Sequence, residues 1–342
     1  MSRALNESDR TTGSPILRIQ DLHTEFVTEY GVVKAVNGVS FEVAAGETLG
    51  IVGESGSGKT VTMLSVMRLI ESPPGRIASG EVHFNGDNLL ELSNREMRQI
   101  RGSKIAMIFQ DPLTSLNPVF SIGEQLTEAI KMHLRVSNKE AREHAVEALA
   151  QVGIPDPVQA LDFFPHQFSG GMRQRAMIAM AISCNPSLLI ADEPTTALDV
   201  TVQEQLLQLV DDLRSQLNMS IVWITHDLGV IAGLADRVVV MYAGEIVESG
   251  PTDMIFENSR HPYTQGLLRS IPRLDVPRDK RLIPIEGTPP DLIHMTPGCQ
   301  FASRCRYRLE QCEEHPPLVE LDTEHASRCW VNPEATIVSD YA

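Results

Sequence analysis

Positive charge is scarce in this chain: its 342 residues carry 29 Lys and Arg against 45 Asp and Glu, a formal net charge of −16. General nucleic-acid binding needs a basic face that displaces counterions from phosphates, so this balance argues against it and leaves room only for a local basic patch. Long apolar runs are missing too. The greasiest stretches, LGIVG at 49–53 and VVVMYAG at 238–244, have strand length, well short of the roughly 20 residues of a membrane-spanning helix. The opening MSRALNESDRTTGSP has no apolar centre and no cleavage-like end, so it is no secretory signal, and residues 1–13 read as a disordered lead. No internal repeat or low-complexity tract is found. The expectation is a soluble, cytosolic chain. Cysteine is sparse, five residues in all, and cytosolic thiols stay reduced, which disfavours disulfides. Yet Cys299, Cys305, Cys312 and Cys329 gather in the last fifth of the chain.

What is present is ordinary in bulk, 42% apolar and 22% charged, as in globular proteins generally. The length calls for one large domain with an extension, or for two domains. ILRIQDLHTEF (16–26) and VVKAVNGVSFEV (32–43) alternate apolar and polar residues, as half-buried strands do. ETLGIVG (47–53) is a buried strand that runs into a glycine-rich turn, and KTVTMLSVMRLI (59–70) has helical spacing. GEVHFNG and KIAMIFQ are strand-like. A helical stretch follows, placed as a subdomain over about residues 115–185. Strand and helix then alternate through SLLIAD, VTVQEQLLQLVDDLRSQL, SIVWIT, DLGVIAGLAD and RVVVMYAG. That alternation implies a parallel sheet covered by helices. After NSRHPYT the pattern fades and proline becomes frequent, so a boundary is placed near residue 260, dividing 14–260 from 261–342.

Three motifs carry chemistry. GESGSGKT, from Gly53 through Glu54, Ser55, Gly56, Ser57, Gly58 and Lys59 to Thr60, matches G-x-x-x-x-G-K-[ST] in full, with a strand ahead and a helix behind. Its glycines let main-chain N–H groups close round phosphates, and the helix start adds partial positive charge. Lys59 would reach the β- and γ-phosphates of ATP, and Thr60 would ligate Mg²⁺. LLIADEP ends a buried strand in two acids: Asp192 suits Mg²⁺, and Glu193 suits a general base polarising water. FSGGMRQR opens a helix with Ser169, Gly170 and Gly171, a cap and a second anion-binding terminus. Two such termini in one chain suggest a dimer in which each ATP is shared.

FSGGMRQR followed by LLIADEPTTALD resembles the signature motif, Walker B and D-loop of ATP-binding cassette (ABC) ATPases, and the order of all motifs over residues 15–260 agrees. The resemblance implies an α/β P-loop NTPase of ABC type: a RecA-like parallel-sheet core, an antiparallel β subdomain, an inserted helical subdomain, and a small irregular C-terminal extension. It makes Gln110 the Q-loop glutamine, which senses Mg²⁺ and couples to the membrane partner, and His226 in WITHD the switch histidine at the γ-phosphate. Asp199 matches the D-loop aspartate. Ser169, Gly170 and Gly171 would hold ATP bound to the opposite subunit. Tyr30 would stack on adenine, with packing as the alternative for an aromatic there. Met172 departs from the pattern, standing where the family most often has glutamine. VKAVNGVSFEV, FQDPLTSLNP, ALDVTVQEQ and HPYTQGLL together resemble the ATPase subunits of oligopeptide and dipeptide importers. This implies a second ATPase subunit, two membrane permeases, an extracytoplasmic peptide-binding protein, and a peripheral place on the cytoplasmic face of the membrane. Some relatives import nickel or other small solutes. An ABC ATPase acting on DNA or ribosomes, or an exporter subunit, are the rival readings, opposed by the acidic balance, the single cassette and the tail.

The four tail cysteines are separated by five, six and sixteen residues. Structural zinc sites usually contain a tight cysteine pair, which is missing here. Iron–sulfur clusters take four thiolates at varied spacing, and Arg304, Arg306 and Arg308 are candidate counter-charges. Zinc, or no metal, stay open on spacing alone. The resemblance implies a [4Fe–4S] cluster on Cys299, Cys305, Cys312 and Cys329, with a structural role. Cys184 reads as a buried core thiol.

Overall fold

The computed structural model describes residues 14–110, 115–196, 198–271, 284–322 and 324–333. The lead expected over residues 1–13, and part of DPLTSLNP, lie outside the described residues. Two sheets organise the rest. Strands β1 (Leu17–Thr28), β2 (Gly31–Val43), β4 (Gly75–Phe84) and β5 (Asp87–Asn88) form an antiparallel sheet in the order β2-β1-β4-β5. Val27 and Val32 face each other next to the tight turn Glu29–Tyr30. The larger sheet adds β3 (Thr48–Val52), β6 (Ile105–Ile108), β7 (Leu188–Asp192), β8 (Ser220–Thr225), β9 (Arg237–Tyr242), β10 (Glu245–Pro251), β11 (Val319–Asp322) and β12 (His325–Ser327), in the order β11-β12-β10-β9-β3-β8-β7-β6.

Five of these strands, β9, β3, β8, β7 and β6, are mutually parallel. They are buried on both faces, as helix-covered parallel strands are. Alternate residues feed two cores. On one face Leu49, Ile51, Val222, Ile224, Val239 and Met241 pack with β1, β2 and the helix Lys59–Val66. On the other Ile221, Trp223, Val238, Val240 and Tyr242 pack with the helices Ile122–Leu134, Asn138–Gln151 and Gly170–Ile182. Three helix starts are fixed by reciprocal Ser–Glu capping: Ser93 with Glu96, Ser121 with Glu124, Ser137 with Glu140.

The segment after residue 260 is wound onto the same sheet. Strand β12 pairs antiparallel with β10, Glu248 opposite Ser327, and β11 pairs outside it. The helix Pro262–Arg269 buries Tyr263 completely, and the rings of Tyr242, Tyr263 and Phe301 pack tilted and edge-on with centroids 4.6–5.4 Å apart. Below them Glu248, fully buried, accepts from the N–H of His261 at 3.0 Å and pairs with His325 at 2.9 Å. Burial pushes His261 down to about 3.

Candidate nucleotide site

Because β3, β6, β7 and β8 run parallel, their C-terminal ends share one sheet edge, where α/β folds bind ligands. The 53–60 loop leaves β3, Gln110 follows β6, Asp192 and Glu193 close β7, and His226 follows β8. The loop needs its glycines. Gly53 has φ 152° and a Cβ there would sit 2.2 Å from the Met241 carbonyl oxygen; Gly58 has φ 101° and a Cβ there would sit 2.5 Å from that of Ala35. Ser55 and Gly56 form the exposed crest, and Ser57 is buried.

Lys59 Nζ donates to the carbonyls of Gly53 and Glu54 at 2.8 and 2.9 Å. Burial lowers its pKa, opposed by the negative charges of Glu193, Asp192 and Glu54. Thr60 Oγ1 donates to Asp192 Oδ1 at 3.0 Å. Burial raises the Asp192 pKa, and the Thr60 bond works against it. A hydroxyl on a helix start and a carboxylate beside it on a strand end are oxygen ligands of the kind Mg²⁺ takes. Glu193 is the hub of the edge: Gln110 Nε2 donates to its Oε2 at 2.9 Å, His226 Nδ1 meets its Oε1 at 3.0 Å, and Thr196 donates at 3.2 Å. Its backbone is left-handed, φ 46°, a strained setting that tends to mark functional positions. A carboxylate so held can accept a proton from water, while His226, 62% exposed in its side chain, is free to swing to a ligand.

Tyr30 stands at the tip of the β1–β2 turn, 79% exposed. Ser169 and Asp199 make local bonds: each caps its own helix, Ser169 accepting from Met172 N–H and Asp199 from Val202 N–H. Ser169 and Gly170 are exposed, and a Cβ on Gly171 would touch Val202 at 3.3 Å, so the two segments lie side by side. Met172 packs against the core. Beneath it Gln174, buried, donates to the Pro194 carbonyl and ties this helix to the loop after Glu193.

Over 322 residues, 94% of this chain and 90% of its relative, the sequence is 51% identical to the oligopeptide transport ATP-binding protein OppD of Bacillus subtilis. The chain belongs to the ABC transporter family. The ABC transporter profile matches residues 36–196, and that of the oligopeptide/dipeptide transporter C-terminal region matches 247–312. The ABC chain is also 50% identical to the dipeptide transport ATP-binding protein DppD of the same organism, over 93% of this chain and 95% of that one. Its fold resembles the dimeric post-hydrolysis ATP-binding cassette MJ0796 bound to ADP and Pi, with a TM-score of 0.62 and 27% identity over 69% of this chain and 98% of that one. No described helix of the ABC chain is long and apolar enough to cross a membrane.

The structure brings the four tail thiols of the ABC chain toward one another. All six pairs among Cys299, Cys305, Cys312 and Cys329 interact electrostatically. Burial, then the neighbouring sulfurs, pushes Cys299 up to about 11 against a bond from the Phe301 N–H. Each sulfur accepts a main-chain N–H: Cys299 from Phe301, Cys305 from Tyr307, Cys312 from Leu309, Cys329 from Asn332. This is the second-sphere pattern that suits a metal-bound thiolate. The donor chemistry therefore fits a thiolate-bound metal, but among the described residues no three His, Cys, Asp or Glu side chains close into a metal-holding group. Cys184 is buried, as expected.

Arg304, expected as a counter-charge for the thiols, turns to the phosphate loop instead. Its Nη1 and Nη2 donate to Glu54 Oε2 and Oε1 at 2.6 and 2.9 Å. The Glu54 N–H donates to Tyr263 Oη at 2.7 Å. Sequence reasoning missed both partners. In the sequence Arg304 reads as a counter-charge for the thiols, with nothing to pair it with Glu54, and Tyr263 lies within HPYTQGLL, a segment read only as a family marker.

Proposed function

We propose that this chain is the ATP-hydrolysing subunit that powers import of di- or oligopeptides through an ABC membrane complex. The observation that carries the reading is the bonded edge Thr60–Asp192 and Gln110–Glu193–His226 at the mouth of the 53–60 loop. Its relatives' names supply the cargo class. ATP phosphates lie on Gly53–Thr60, Mg²⁺ is held by Thr60, Asp192 and Gln110, and adenine stacks on Tyr30. Glu193 takes a proton from the attacking water, and His226 leaves it for the γ-phosphate. Ser169 and Gly170, both exposed, and Gly171, with Asp199 beside them, complete the site of a second ATPase subunit. Closure of that pair drives two permeases, which receive peptide from an extracytoplasmic binding protein. Exposed Phe109, Val119 and Phe120, near Gln110 in sequence, are the apolar surface on which a permease would sit. The chain then works at the cytoplasmic face of the membrane. The division into a cassette over 14–260, with helices over about 115–185, and a tail over 261–342 belongs to the same reading.

The test is reconstitution with the permeases and binding protein. Peptide-loaded binding protein should raise ATP turnover several-fold, and Glu193→Gln should abolish the rise. Stimulation by nickel or another small solute in place of peptide would overturn the cargo and leave the ATPase. We also assign Cys299, Cys305, Cys312 and Cys329 as thiolate ligands of a [4Fe–4S] cluster, which would supply folding free energy to the tail. Iron and acid-labile sulfide on anaerobically purified chain should be about four each. One zinc per chain, or neither metal, would overturn it.

A further inference from the structure

We propose that Arg304 is a positioning residue for ATP: it masks the charge of Glu54 on the phosphate loop, so that the tail sets the nucleotide affinity of the cassette. This rests on the reading that ATP phosphates lie on Gly53–Thr60. Glu54 is a carboxylate inside the loop that must receive a polyanion. Its main-chain oxygen holds Lys59, and its side chain is 28% exposed. An unmasked carboxylate there would repel phosphate, with an interaction in partly dry surroundings several times that in bulk water. The masking Arg304 side chain is only 3% exposed, and its guanidinium is held by several partners. Nε donates to the Glu286 carbonyl at 2.9 Å, Nη2 reaches that of Ile285 at 3.4 Å, and Nη1 reaches Tyr242 Oη at 3.3 Å. The planar fork matches both carboxylate oxygens, which a lysine cannot do. The pairing with Glu54 raises the Arg304 pKa, in line with a permanent charge.

The tail reaches the adenine side too. Lys34 N–H donates to the Leu292 carbonyl at 3.2 Å, and a Cβ on Gly31 would lie 2.6 Å from Ile293. Gly31 follows Tyr30, so one segment touches both the base-side turn and the phosphate loop. The sequence neighbours of Arg304 strengthen the point. It lies between Cys299 and Cys305, and a tail that loses its thiol centre would loosen the fork.

The experiment titrates MgATP into the full chain, with ATP turnover measured in the assembled complex. Arg304→Met should weaken MgATP binding and raise KM about tenfold, with kcat within about twofold, because ground-state and transition-state phosphates are repelled alike. The effect should shrink as salt is raised. Adding Glu54→Gln to Arg304→Met should restore affinity to within about threefold of wild type, since the repelling charge is gone. Unchanged affinity in Arg304→Met, or no rescue by Glu54→Gln alongside a lowered melting midpoint, would overturn the proposal and leave a structural contact. Should Arg304→Met not fold, Glu54→Gln alone decides: affinity equal to or above wild type supports charge masking, and a tenfold loss overturns it. Lys59→Ala separates the two readings. Wild-type MgATP affinity in that variant would remove the phosphate-loop placement, whereas lost affinity there with a normal Arg304→Met would remove only the masking role.

Discussion

The two ends of the phosphate loop are held by different physics. At the helix end the bonds reach outward from the buried Asp192 to side chains that are at least partly open: Thr60 to Asp192, Glu193 to Gln110, and Glu193 to an imidazole 62% exposed. Each of these groups can exchange its partner for a ligand. At the strand end the loop is backed by buried structure: Arg304, the clustered rings of Tyr242, Tyr263 and Phe301, and below them Glu248 with His325 and His261. Those partners have no solvent to turn to, and leaving one unpaired carries the full desolvation cost. The proposed chemistry draws on the exchangeable side, and the fixed side holds the loop's shape.

Substitutions should separate the sides. The largest effect is expected at Glu193. Glu193→Gln should lower ATP turnover by about 10²–10⁴-fold while leaving the melting midpoint almost unmoved, and it should trap an ATP-bound dimer visible by size-exclusion chromatography. Wild-type turnover would remove Glu193 as the base. On the fixed side the order reverses. Glu248→Ala strips a buried carboxylate from His325 and from the N–H of His261, a loss of about 3 kcal/mol. Thermal unfolding should then begin roughly 4 °C lower, and an unmoved midpoint would show that the tail is not part of the fold's stability. Tyr30→Ala belongs to the exchangeable side: KM for ATP should rise about tenfold, the worth of one base–aromatic stack, with unfolding unchanged because the ring is exposed. The smallest effect is one of pH. His261 is neutral in the fold, its pKa pushed from the usual 6.5 to about 3. Its contribution is complete above the usual value and drains away as pH falls from there toward about 3. Melting midpoints measured down that range should fall less steeply in His261→Gln than in wild type; parallel slopes would mean the imidazole is not the group responsible.

Much of the exchangeable side was legible along the chain. The phosphate loop, the acids after LLIAD and the histidine after SIVWIT each follow a strand directly, and strand patterning is local. Three S-x-x-E helix starts are equally local, at Ser93, Ser121 and Ser137. The fixed side left little trace. β11 and β12 are four and three residues long, too short for a period to register, so the tail read as irregular while two of its segments complete the main sheet. Arg304, one of three alternating arginines at 304, 306 and 308, looked like a neighbour of thiols because it adjoins Cys305 in sequence.

By itself the sequence determined the chemistry: which oxygens, amides and imidazole stand at strand ends, in what order, and that four thiols share one segment. Periodicity and turn residues act over a few positions, and so do the bonds they specify. Tertiary structure decided which surfaces meet. Arg304 finds Glu54 across 250 positions, and Tyr263 finds the same residue's N–H across 209. Such contacts depend on how the tail packs against the sheet edge, a choice made by burial of Tyr242, Tyr263 and Phe301 together and not by any one residue's preference.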